Sequence, residues 1–406
     1  MAKRPSTKKS AKSKASAAKS VDTSADMPTE TQRPVAEQKY AEELTVLCAA
    51  DDGPRPAGWK MTPGRVIDFL CGTAGEKVSA KLPTGKASLA ITQKFVGPRD
   101  LIERCVVTLA GERGLLLVGQ PGTAKSMLSE LLAAAISGDS RQTVQGTAGT
   151  TEDQLRYGWN YALLIDRGPV PEAMIPSPVM SAMQSGSLAR IEEVTRCLPE
   201  VQDALISLLS ERRIMIPEFG GQAPGVAAIP GFNLIATANL QDRGVSEMSA
   251  ALKRRFNFEL VQPIANHDQE LELVSQQSRA MLAETGIDIE VDQALLGLLV
   301  TVFRDLRSGK TAEGWNVERP ATAMSTAEAV AVSNAINRQT AFFREETDPI
   351  SLIPGHLLGV VLKDDAAERQ RLLAYWDGPV RRRAESGDKL FQRLFDLREV
   401  LADVQV

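Results

Sequence analysis

The sequence predicts an α/β protein, with a parallel sheet that carries a phosphate-binding loop and is followed by an all-helical region. Three observations carry that prediction. The stretch GQPGTAKS, Gly119 to Ser126, follows the apolar run Leu115-Leu116-Leu117-Val118 and opens a helical segment, Met127 to Ala135. Short apolar runs alternate with helical patterns up to about residue 263, the signature of parallel strands joined by crossover helices. From Ile264 only helical patterns remain, at 267–285, 291–307, 322–343, 354–362, 366–376 and 388–403.

Strand, glycine loop and helix form the context that a phosphate loop requires. Gly119, Gln120, Pro121, Gly122, Thr123 and Ala124 would curl so that backbone N–H groups point at phosphate oxygens. The helix N-terminus adds its partial positive charge. Lys125 supplies a point charge for the β- and γ-phosphates, and Ser126 a hydroxyl for Mg²⁺. The spacing G-x-x-x-x-G-K-[ST] asks for glycine where this chain has Ala124, a small departure. A strand–helix turn with an exposed lysine is the bland alternative. It is disfavoured because strand, loop and helix agree.

The totals set bounds. With 406 residues there is room for two or three domains. The apolar share of 43% and charged share of 24% are those of a soluble globular chain. A net charge of −4 gives no global attraction to nucleic acid. No apolar stretch approaches the ~20 residues that span a bilayer, and the N-terminus lacks the apolar core of a secretory signal. Cys48, Cys71, Cys105 and Cys197 are far apart and read as reduced thiols of a cytoplasmic protein. His267 and His356 are too few for histidine acid–base chemistry or a His-rich metal site.

Residues 1–38 read as a disordered tail. The first twenty carry seven Lys/Arg and no acid, and the segment has too little apolar area to offset its ordering entropy. A solubilising role is favoured there over weak binding to anionic surfaces. Residues 39–93 form a small N-terminal region packed on the next domain: a short helix at Tyr40 to Ala49, a Pro/Gly connector, and a helix opened by Thr62 as N-cap and Pro63 as first residue. Gly75 to Gln93 reads as loop or hairpin. Residues 94–263 hold the α/β domain, with a helix at Leu101 to Leu109 and strands at 115–118, 143–145, 187–193, 232–239 and 258–261. Residues 264–406 form a helical lid and the C-terminal helices.

Three further signals bear on chemistry. Arg190-Ile191-Glu192-Glu193 ends a strand in two acids, one placed for Mg²⁺ and one to polarise a water. Arg190 interrupts the apolar run, and Glu192 is one methylene longer than the aspartate usual there. Asn239 ends an apolar strand and could hold that water. Lys253-Arg254-Arg255 ends a helix, from which an arginine could reach a neighbour's γ-phosphate. The bland readings are surface acids, a turn-forming Asn and a basic cluster at a helix C-terminus.

Phosphate loop, paired acids, strand ending in Asn and then ALKRRF occur in the order that resembles the AAA+ ATPases, over about 94–345. GQPGTAKS, EEVTRCLPEVQDALISLLSERRIMIP and FNLIATAN are most similar to the MoxR branch, in which the phosphate loop commonly ends in Ala-Lys-Ser/Thr. The resemblance implies ATP and Mg²⁺ as cofactors, with Lys125 on phosphate and Ser126 and Glu192 on the metal. It implies Glu193 as catalytic base, Asn239 as first sensor, Arg255 or Arg254 as arginine finger, and Arg319, before Pro320, as second sensor. The hairpin near 212–230 and residues 157–185 match the family's insertions. Family members form rings, usually hexamers, and often work with von Willebrand factor A domain partners to remodel other proteins. The leading expectation is therefore an ATP-driven remodelling ATPase. A nucleic-acid motor and a nucleotide-gated scaffold that hydrolyses little, given Glu192, are the alternatives. Client, ring size and the choice between Arg254 and Arg255 stay open.

Overall fold

A computed structural model describes residues 32–220, 225–239, 246–284, 291–343, 348–362 and 366–402. Most of the expected tail therefore lies outside the described residues. Its end does not: Ala36–Lys39 is already helical, so residues 36–38 belong to the folded body. Glu130 Oε1, on the helix after the phosphate loop, accepts from the Ala36 N–H, and the Glu37 carboxylate accepts from the N–H and hydroxyl of Ser140.

The helices Ala41–Ala49 and Pro63–Cys71 form where expected, the second capped by the Thr62 hydroxyl, which accepts from Arg65 N–H. The undecided stretch after it is a hairpin, Lys77–Leu82 against Gly85–Ala90. Val66, Phe69 and Leu70 are buried in one cluster with Leu115, Leu117 and Leu132 of the next domain. The N-terminal region thus shares its core with the α/β domain.

Five parallel strands make the main sheet, in the order Phe256–Leu260, Gly114–Val118, Asn233–Ala238, Leu188–Glu192, Thr143–Gln145. Gly114–Val118 is buried on both faces, as a central strand covered by helices must be. Leu115 and Leu117 face the N-terminal helices, whereas Leu116 and Val118 face Leu205 and Leu208 of the Pro199–Glu211 helix, following the two-residue period of a strand. The sheet order puts the Asn233–Ala238 strand between the phosphate-loop strand and the acid-bearing strand, so its C-terminal end can touch both.

Within 157–185, only the first part stands out from the body. Tyr157–Trp159 pairs with Met174–Pro176 around the short helix Tyr161–Arg167. Pro178–Ser185 is instead a core helix, capped by Ser177 and burying Val179, Met180, Ala182 and Met183. The second hairpin is short, Arg213–Ile214 against Val226–Ala227.

The remaining chain is helical: His267–Glu284, Gln293–Ser308, Thr326–Phe343, Ile353–Val361 and Ala366–Tyr375. The helical path then continues, where no helix was expected, through a wide turn at Trp376–Val380 into Arg381–Glu385. The expected helix 388–403 breaks at Leu397 into Lys389–Asp396 and Arg398–Ala402. Leu295, Leu299, Val302, Phe303 and Leu306 form the buried stripe of Gln293–Ser308 and pack with Trp376. The third helix starts at Thr326, four residues later than expected, because Ser325 and Glu328 form a capping box: Ser325 N–H donates to Glu328 Oε2 and Glu328 N–H to Ser325 Oγ.

Candidate nucleotide site

The phosphate loop leaves the Gly114–Val118 strand at Gly119 and turns back through two left-handed residues, Gly122 (φ +76°) and Ala124 (φ +63°). Both Gly119 and Gly122 are needed for close approach. A Cβ on Gly119 would lie 2.3 Å from the Val261 carbonyl oxygen, and one on Gly122 would lie 2.1 Å from Ser325 Cβ of the helical region. Ala124 adopts a conformation that glycine would enter without strain, which is the cost of the departure noted above.

Lys125 is the first residue of its helix, and its ammonium donates to the carbonyls of Gly119 (3.1 Å) and Gln120 (2.7 Å) across the loop. Ser126 and Ser129 lie three residues apart on the same helix face, turned toward the Leu188–Glu192 strand. Ser126 Oγ donates to Glu192 Oε2 at 2.6 Å, and Ser129 Oγ donates to Glu192 Oε1 at 2.6 Å. Thr237 Oγ1, from the intervening strand, donates to Glu192 Oε2 at 2.8 Å and accepts from Glu193 N–H at 2.9 Å. Arg190 adds an ion pair to Glu192 Oε1 at 2.8 Å. Burial alone would raise the Glu192 pKa, but the hydroxyl donors and the Arg190 charge outweigh it and hold the carboxyl below its ordinary range.

Glu193 sits in the left-handed region (φ +56°), which swings its side chain out of the strand. Its Oε1 accepts from Asn239 Nδ2 at 3.1 Å, and its Oε2 pairs with Arg196 at 2.5 Å. Lys125, Ser126, Glu193, Thr237 and Asn239 all line one cavity of about 570 Å³. The cavity runs from the phosphate loop to an apolar end formed by Phe95, Val96, Leu273, Met281 and Val330. The residues expected from the sequence to hold phosphate and metal, and the expected base and first sensor, therefore converge.

The expected arginines do not. Arg254 and Arg255 lie outside that cavity lining. The Arg255 guanidinium is bonded to its own chain, at Ser210 Oγ and the Ala251 carbonyl, and Arg254 is exposed. Arg319 lies seven residues before Thr326, not at the start of that helix, and its guanidinium donates to the Ser308 carbonyl. It lines a neighbouring cavity, to which Gln120 of the phosphate loop also contributes, and is not among the residues lining the first. The helical region's cation in the nucleotide cavity is Arg307. Both Glu270 oxygens accept from Arg307 (2.9 and 2.8 Å), and Glu270 is further held by Arg304 and Thr326. Burial would raise the Glu270 pKa, but these donors keep it below its usual value. Sequence reasoning missed Arg307, Thr237 and the apolar end. Only Thr237 had a local signal, a polar residue two places before Asn239 on the same strand.

A magnesium nucleotide fits this set. Two glycines that admit no Cβ form the cradle, and a hydroxyl and a carboxylate stand 2.6 Å apart beside it. Among the described residues no group of three or more His, Cys, Asp or Glu could hold a metal. Mg²⁺ is held by one or two protein oxygens together with waters and phosphates, and Ser126 Oγ and Glu192 Oε2 are oxygens of that kind. Among the described residues no helix is long and apolar enough to cross a membrane.

Residues 114–256 match the model of an AAA domain of the dynein-related subfamily, and residues 268–402 that of a YehL-like AAA+ ATPase C-terminal domain. The chain is 46% identical over 347 residues to the uncharacterized protein YehL of Escherichia coli strain K12, covering 85% of this chain and 92% of that one. It is 29% identical over 196 residues to the uncharacterized protein SH1500 of Staphylococcus haemolyticus, covering 48% of this chain and 69% of that one. Among solved structures, NtrX from Brucella abortus in complex with ATP is similar over 76% of this chain and 69% of its own, with 16% identity and a TM-score of 0.44.

Proposed function

The chain belongs to the YehL-like AAA+ ATPases, and on that premise we propose that it binds ATP with Mg²⁺ in the cavity between sheet and helices and hydrolyses it. The observation that carries the proposal is the convergence of Lys125, Ser126, Glu193 and Asn239 on one cavity wall, with Glu192 bonded to Ser126 directly behind it. Lys125 exchanges its two carbonyl acceptors for β- and γ-phosphate oxygens. Ser126 and Glu192 would hold Mg²⁺, which would neutralise charge on the phosphates. Glu193 accepts the proton of the attacking water, and Asn239 Nδ2 orients both. The apolar end of the cavity takes the base, and Arg307 is the lid's cation toward the phosphates, in the role that Arg319 was expected to fill.

The rest of the reading concerns assembly. Arg255 or Arg254 acts on the nucleotide of a neighbouring subunit, since neither lines the cavity of its own chain. That requires a ring, a hexamer by resemblance to MoxR-like ATPases. Closure of the helical region on the loop, at the Gly122–Ser325 approach, would move the insertions against a client protein in the cytoplasm, with a von Willebrand factor A domain partner. The scaffold alternative draws on one observation, the Arg190–Glu192 pair at the metal position. Turnover assays of Lys125→Ala and Glu193→Gln test the proposal. Loss of turnover in both is expected, and unchanged turnover in both would defeat the site.

A further inference from the structure

Arg190 and Glu192 are the two departures from the strand pattern expected of such a site, and the fold brings them into a single arrangement. They are two apart on one strand, so their side chains share a face, while Ile191 between them is buried in the opposite cluster. That face meets Ser126 and Ser129 of the phosphate-loop helix. Arg190 and Glu192 keep only 9% and 6% of their side-chain surface exposed.

The guanidinium is fully used. Nε donates to Ser129 Oγ, one terminal nitrogen to the Ser140 carbonyl and Thr143 Oγ1, and the other to the Ser126 carbonyl and Glu192 Oε1. Glu192 divides its oxygens accordingly. Oε1 faces Arg190 and Ser129, and Oε2 faces Ser126 and Thr237. A buried carboxylate without a counter-charge is strongly unfavourable, and so is a buried guanidinium without an anion. Aspartate at 192 would be one methylene too short to serve both sides. An apolar residue at 190 would leave the longer carboxylate uncompensated.

We propose that Arg190 is a positioning residue for the metal: it fixes Glu192 Oε1, so that Oε2 alone is turned toward Ser126 and Mg²⁺. Each of the two residues requires the other. This rests on the nucleotide-site reading above. The pair holds Glu192 aimed before the metal arrives, so metal binding needs no rearrangement of the buried carboxylate.

A double-mutant cycle on the full chain tests this, using Arg190→Leu, Glu192→Asp and the double variant. The probe is a fluorescent ADP analogue, titrated with Mg²⁺. Each single substitution raises the Mg²⁺ midpoint for analogue binding by about 10–100-fold, the usual loss for a partner of a metal ligand. The double variant loses at least about tenfold less than the product of the singles. Melting temperatures in EDTA without nucleotide follow the same order, each single falling by about 5–10 °C and the double recovering part of that loss. If Arg190→Leu does not fold, the proposal still requires the double variant to fold. An unfolded double variant overturns it, as does a double loss within about threefold of the product of the singles. Lys125→Ala separates the two levels. Analogue binding unchanged in that variant overturns the site itself. Abolished binding there, with an additive cycle, overturns the pairing alone.

Discussion

Among the described residues two arginines are buried, one in the sheet domain and one in the helical region, and they do different work. Arg190 is held by the helix that begins the phosphate site, and two of the three hydroxyls around its carboxylate partner, those of Ser126 and Thr237, belong to residues that line the site. Arg383 is sealed inside the helical region. It donates to Asp305 Oδ2 at 2.6 Å and to both Glu313 oxygens at 2.9 and 2.8 Å, with Phe391 beneath the guanidinium at 4.7 Å. Tyr375 donates to the same Asp305 oxygen. Burial raises the Asp305 pKa despite Arg383, whereas Glu192 stays depressed because three hydroxyls also bind it. The same residue type is therefore a fastener in one region and a neighbour of the proposed metal site in the other. Its neighbours decide which, not its burial.

Variants can break or sharpen that contrast. The largest effect expected is in chemistry with no change in fold. Either Arg254→Ala or Arg255→Ala should lower turnover by about 10³-fold or more in the assembled protein while leaving ATP affinity nearly unchanged. Steady-state turnover set beside equilibrium binding identifies which arginine reaches the neighbouring site. Next comes Arg383→Leu, which strands Asp305 and should cost about 3–5 kcal/mol in denaturant unfolding. Nucleotide affinity per folded molecule should stay unchanged, and a loss of affinity would break the contrast.

A smaller effect concerns acid. The Arg383 hydrogen bonds hold Glu313 at about 2, below its ordinary 4.5. A depressed carboxylate contributes stability that is present above its unfolded pKa and lost as pH falls through the folded one. The melting-temperature gap between the wild type and Glu313→Gln should therefore be full above about pH 4.5 and close toward about pH 2. Smallest is Thr62→Ala, which removes a helix cap remote from both arginines and should cost about 1 kcal/mol with turnover unaffected.

The site was legible where its signal is local. Gly119 to Ser126 lies in one turn and Glu192 and Glu193 end one strand, so eight or fewer adjacent residues carry each signal. The parallel sheet followed by helices was legible for the same reason, from period and punctuation. Arg307 was not, because its place in the cavity depends on how two helices pack around Glu270, and nothing nearby in sequence marks it. The placing of Arg319 at a helix start was not legible, because that helix begins at Thr326, where Ser325 and Glu328 write a capping box. Arg190 read as an interruption because its partner sits two residues on and its other acceptors come from residues 126–143.

The central claim is that Glu193 performs the chemistry on a nucleotide held by Lys125, Ser126 and Glu192. Its most direct test is single-turnover ATP hydrolysis by Glu193→Gln alongside ATP binding. The account predicts binding within a few-fold of wild type and cleavage slowed by about 10²–10⁴-fold, the worth of a general base. Cleavage at the wild-type rate would contradict it.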